Sequence, residues 1–203
     1  MPVIRLDAAT VLLQWAAGGL AFLWVTTRHR EVGLGYGWLL RSVYAVLAVG
    51  AVATGIAVEV IPVREVASAG VAVARTLAGA AFLGAVTDAM LLGHWYLVQP
   101  GLRRALLDEQ VTWVIRVWPV EVGLLLVPTG MISVLNGSID DGWGGTLGWF
   151  WVACAVATLV LALVTRAALK ERQYSAVMAA TGLLYLAILT AFGTDLVARA
   201  VLA

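Results

Sequence analysis

The sequence predicts an all-α, polytopic integral membrane protein in which six transmembrane helices form a bundle. Three observations predict it. Long apolar runs recur along the whole chain, each long enough to cross a hydrocarbon core of about 30 Å at about 1.5 Å per residue. Of the 203 residues, 62% are hydrophobic and only 12% are charged, about half the charged share of a soluble domain. The period-2 alternation of a membrane barrel is absent, and backbone groups in lipid must be satisfied within their own segment, which leaves helices.

Taken in order, the first span covers residues 7–27. Arg5 ahead of an apolar run raises the possibility of a signal peptide, but the run is too long, lacks an A-x-A pattern and ends in Arg28-His29-Arg30, so a retained helix is expected. Ala17, Gly18, Gly19 and Ala21 form a small-residue stripe that would let a neighbour approach closely. A glycine-rich turn leads to the second span, 36–61, which Pro62 stops. The short loop after it predicts that spans two and three are antiparallel neighbours. Span three, 66–98, is overlong and must tilt, kink near Gly79 or Gly84, or overhang, which would leave Arg75 snorkelling at an interface.

Gln99-Pro100-Gly101 breaks span three, and residues 102–110 read as a short amphipathic connector. Span four, 111–136, is interrupted by Pro119 and Pro128, breaks tolerated where protein or water satisfies the freed carbonyls. The tract NGSIDDGWGG, residues 136–145, is turn chemistry. Span five covers 146–165, a cationic connector follows, and span six covers 174–197. All six belong to a single domain, residues 1–203. Seven cations (Arg28, Arg30, Arg103, Arg104, Arg166, Lys170 and Arg172) fall in the first, third and fifth loops, against Arg5, Arg64 and Arg199 on the other side. The positive-inside rule then places the odd loops in the cytoplasm of a cell whose plasma (inner) membrane holds the chain, with both termini outside.

Ionisable groups inside spans are costly, and that makes them the candidate site. Asp88, Glu121, Arg116, His94 and Arg41 form the expected intramembrane polar site, open toward the cytoplasm, with the cations shallow and the two acids deeper. Trp95 and Tyr96 beside His94 suit an interfacial aromatic belt. Each has a structural alternative: the cations as headgroup anchors, and Asp88 as an ion-pair partner of Arg116 or Arg41. Asp88 and His94 lie about 240° apart around a helix, so span three should be surrounded by protein.

Several chemistries are disfavoured. The sequence holds no H-E-x-x-H, no Cys/His cluster and no Walker-type loop, so neither a metal site nor a catalytic constellation is expected. Asp140 and Asp141 supply too few oxygens for calcium. Cys154 is the lone cysteine and excludes an intrachain disulfide. A net charge of +1 gives no pull toward nucleic acid. The partners expected are the lipid bilayer, a small solute or protons, and a second copy or a larger membrane complex. No cofactor is expected. Two histidines, His29 and His94, leave bis-His haem as a minor alternative, and His94, Trp95, Tyr96 and Arg116 could line a quinone pocket of a redox complex. Small-solute or proton-coupled transport is the leading expectation. A non-catalytic accessory or assembly protein is the third.

Overall fold

A computed structural model of the chain describes residues 8–57, 69–127 and 130–202. Among them are seven helices and no strand: α1 (Ala8–Thr27), α2 (Leu34–Ala57), α3 (Ala69–Trp95), α4 (Arg104–Leu126), α5 (Met131–Leu135), α6 (Thr146–Ala168) and α7 (Tyr174–Leu202). Five of them, α1, α2, α3, α6 and α7, are long and apolar enough to cross a membrane. This is an all-helical membrane protein. The sixth expected span is α4, whose 23 residues give about 34 Å of helix but whose five charges set it apart from the other five.

Helix α3 is the centre. It packs against α1, α4 and α7, and 67% of its apolar stretch is buried, against 22–39% in the other four apolar helices. A helix with polar groups on several sides needs protein on several sides, as the sequence suggested. Glycine sets how closely α1 approaches it: a Cβ at Gly18 would collide with the Ala80 carbonyl, and one at Gly84 with the backbone of Gly18. The two backbones touch, as small-residue seams allow. Of the expected stripe only Gly18 and Gly19 are buried; Ala17 and Ala21 face outward. α3 stays helical through Gly79 and Gly84, so these glycines serve close approach and not a kink.

Three expectations change. Helix α2 lies against α1 rather than α3, and reaches α3 chiefly through the side chains of Tyr36 and Tyr44. Residues 102–110 are not a separate connector. From Arg104 they form the first turns of α4, because Leu106, Leu107, Gln110, Val111 and Val114 make one buried stripe at helical spacing. Span four also stops sooner than expected: α4 ends at Leu126, and after Gly130 the short α5 follows. Pro119 sits inside α4; Pro128 and the helix-stopping Pro62 lie outside the described residues.

The turns α1–α2, α3–α4 and α6–α7 gather at one end of the bundle. There Arg28 pairs with Glu109, Arg103 with Glu31, Arg166 with Asp108 at 3.5 Å, and Arg104 donates to the carbonyls of Glu171 and Arg172. Gln99 closes the same end. Its Oε1 accepts from the Gly33 amide at 2.8 Å and from Trp95 Nε1 at 3.1 Å, and its Nε2 donates to the Glu31 carbonyl at 3.0 Å. This basic end also holds Tyr96, buried, with its hydroxyl donating to the Arg103 carbonyl at 2.5 Å. Tyr96 is therefore a bolt between α3 and the following turn and not a lipid-facing anchor, while the half-buried Trp95 ring meets that of Tyr36 at a 60° tilt, centroids 5.5 Å apart.

Candidate functional site

Asp88 lies seven residues, about 10 Å, from the basic end of α3, and is fully buried. Its Oδ2 accepts from the Thr26 hydroxyl at 2.7 Å and its Oδ1 from the Tyr44 hydroxyl at 3.2 Å. Gln110 Nε2 donates to Thr26 Oγ1 at 2.7 Å. A hydroxyl has one proton to give, and with Gln110 donating to it Thr26 directs that proton to Asp88 at 2.7 Å in preference to the Phe22 carbonyl at 3.2 Å. Four helices thus converge on one carboxyl: Thr26 from α1, Tyr44 from α2, Asp88 from α3 and Gln110 from α4. The Tyr36 hydroxyl, buried, lies beside Asp88 and Thr26 without completing a hydrogen bond.

Tyr44 reaches α3 only because α1 gives way. A Cβ at Gly19 would strike the Tyr44 ring at Cε1 and Cζ. The glycine opens a slot through which a side chain from α2 crosses α1 to meet Asp88.

No guanidinium partners Asp88 among the described residues. Arg41 is exposed on α2, and Arg116 is exposed on α4 with its guanidinium 5.5 Å above the Trp113 ring. The structural alternative for Asp88, an ion pair with Arg116 or Arg41, is not formed. Both cations sit on the outer surface of the bundle, where long side chains can reach an interface. His94 is exposed as well, its Nδ1 3.0 Å from the Tyr185 hydroxyl of α7. His29 takes a different partner, Glu109, at 2.8 Å.

Glu121 does not join Asp88. It lies five residues from the other end of α4, in the opposite half of the bundle, fully buried and close to Asp195 and Arg199 of α7 and Arg75 of α3. Arg199 Nε donates to both Asp195 oxygens at 2.9 and 3.0 Å, and Gln14 Nε2 reaches the same oxygens at 3.2 Å each. Arg75 is buried rather than snorkelling, with Nε donating to the Leu124 carbonyl at 2.9 Å. Its own carbonyl accepts from Arg199 at 3.2 Å. The single deep site expected from the sequence is thus two clusters. Along α1, α3 and α4 they stand about 14–18 Å apart, with buried Phe82, Leu83, Val86 and Val114 among the residues in between.

Asp141 shows what the acidic loop does. Its carboxyl accepts from the backbone amides of Trp143, Gly145 and Leu147 at 2.9 Å each, and of Gly148 at 3.4 Å. This folds the turn onto the start of α6. The amides, led by that of Gly145, hold the carboxyl below the usual carboxylate range.

Comparison with known proteins adds no relative: no family model, no curated protein and no solved structure matches the chain. The fold and the two clusters define the class reached here, an integral membrane helical bundle with buried acids in both halves.

Proposed function

We propose that this protein moves protons, alone or with a small solute, across the plasma membrane, and that Asp88 is the group that takes up and releases the proton. One observation carries the reading: a carboxyl deep in the central helix is held by hydroxyls and not by a cation. An acid kept for packing alone is commonly neutralised by Arg or Lys. Hydroxyls can both give and accept a proton, and Thr26, which donates to Asp88 and is held by Gln110, stands one residue from the basic end of α1. In this reading Glu121 is the acid on the far side of the apolar layer, and Arg41, His94 and Arg116 stand outside the path. The basic end faces the cytoplasm, in keeping with its excess of arginine.

The test is proton flux into liposomes carrying the purified protein and an enclosed pH-sensitive dye, driven by an imposed potassium diffusion potential. Wild type should acidify the lumen faster than protein-free liposomes, and Asp88→Asn, similar in size, should lower the rate at least about tenfold, a loss of about 1.4 kcal/mol or more of barrier stabilisation. Equal rates for wild type and a folded Asp88→Asn would remove the proposal.

A further inference from the structure

Glu121 carries a feature that the transport reading does not need. Both of its carboxyl oxygens are buried with no hydrogen-bond partner, and so is Oε1 of Gln14, whose Nε2 is bound to Asp195 in the same cluster. Buried acceptors are nearly always satisfied, so each exception needs a cause. Three acceptors in one cluster lack a donor. Among the described residues, the remaining orphaned group in this half is Trp151 Nε1, on the α6 side in the apolar cluster with Val122 and Ala198. What these oxygens lack is a donor, because the neighbouring Asp195 carboxyl, like that of Glu121, only accepts unless a proton lies between them; a partner that itself only accepts, such as an anion, is excluded.

The charged groups around Glu121 among the described residues are Asp195 and Arg199 on α7 and Arg75 on α3. Arg199 is turned to Asp195 through Nε and to the Arg75 carbonyl through its terminal nitrogen. Arg75 directs Nε to the Leu124 carbonyl. Neither guanidinium reaches the Glu121 oxygens at hydrogen-bond distance. The second observation is how closely the polar groups press on the backbone of α3. Gly79 of α3 borders the cluster, and a Cβ there would meet Gln14 Nε2, Asp195 Oδ1 at 2.6 Å and Arg199 at 2.8 Å. Glycine at this one position keeps the polar groups from being displaced.

We propose that Glu121, with Asp195 and Gln14, forms a second cation site that binds one monovalent cation, either a proton or an alkali ion. An alkali ion would be held by oxygens of a carboxylate and an amide, ligands suited to hard cations. A proton would lie between the facing carboxyls. The site stands on its own geometry, so it survives if Asp88 moves no proton.

The test is thermal unfolding of the detergent-solubilised protein, followed by tryptophan fluorescence. Choline chloride is replaced by sodium or potassium chloride at constant ionic strength, on either side of neutral pH. A ligand that binds only the folded state raises Tm with its concentration. If the occupant is an alkali ion, the replacement raises the wild-type Tm by about 4 °C or more on the alkaline side and leaves Glu121→Gln unmoved. If it is a proton, the alkali ions do nothing; in an Asp88→Asn background, which removes the titration of the other buried acid, Tm falls as pH rises, and adding Glu121→Gln abolishes the fall. Gly79→Ala, which crowds the cluster while keeping every oxygen, should weaken whichever dependence wild type shows. A wild-type protein indifferent to both cation and pH overturns the proposal, whatever the variants do. So does a cation dependence that persists undiminished in Glu121→Gln, or a pH dependence of Asp88→Asn that persists undiminished when Glu121→Gln is added.

Discussion

The side chains that hold Asp88 are ordinary residues in unremarkable positions. Thr26 and Gln110 carry no charge, and Tyr44 sits in a helix otherwise built for lipid. Sequence reasoning found Asp88 because an ionised group in an apolar run stands out. It missed Thr26, Tyr44, Tyr36 and Gln110 because hydroxyls and amides are common in membrane helices. Asp195 was missed although a signal existed: Asp195 and Arg199 stand four residues apart, the spacing at which helical side chains meet, and Gln14 is a lone amide in an apolar span. Thr26→Val tests the hydroxyl chain with little change of shape. It leaves an Asp88 oxygen and the Gln110 amide without their partner, at about 1–3 kcal/mol for each unsatisfied group. For a chain of this size each kcal/mol lowers Tm by about 2–4 °C. A Tm equal to that of wild type would mean that the Gln110–Thr26–Asp88 chain is not formed in the native state.

At the scale of elements, the seam between α1 and α3 depends on backbone meeting backbone. Gly18→Ala would press a methyl onto the Ala80 carbonyl, a group that cannot turn aside, so the helices must separate. Overpacking of this kind costs about 1–3 kcal/mol. Gly182, where a Cβ would meet nothing nearby, provides the control, and Gly182→Ala should leave Tm unchanged or slightly higher. The start of α6 gives a prediction in pH. Asp141 has its carboxyl held below the usual range by four backbone amides. A depressed folded pKa adds stability above the unfolded value of about 3.9, and that stability disappears as pH falls through the folded pKa. Asp141→Ala should therefore have a lower Tm than wild type at neutral pH, and the two should converge only in acid below about pH 4. A gap that stays constant into strong acid would assign the loss to something other than the carboxylate.

For the whole molecule, the end of α1 and the starts of α6 and α7 were legible within about one residue, because charge or glycine turns bound their apolar runs. Helix α4 was not. Its early acids look like a surface connector, yet Glu109 pairs with Arg28 and Asp108 with Arg166 across the basic end, and those partners are far away in sequence. The crossing by α4 is consequently the point on which the six-span arrangement turns. It is about 34 Å long and packs between α3 and α6, but its five charges make it the least apolar of the six long helices. Single cysteines in a Cys154→Ala background decide the matter. Pro100, Ser138 and Lys170 are all exposed, lying before α4, between α5 and α6, and after α6; Leu169 beside Lys170 is buried and would label poorly for reasons unrelated to sidedness. With the basic end in the cytoplasm, Ser138→Cys in intact cells should react with an impermeant maleimide. Pro100→Cys and Lys170→Cys should react only after permeabilisation. If Pro100→Cys and Ser138→Cys label from the same side, α4 does not cross, and the two acid clusters cannot lie on a path between the two faces of the membrane. If all three sites separate as expected but with the sides exchanged, α4 crosses and the arginine-rich end faces outward, against the positive-inside rule.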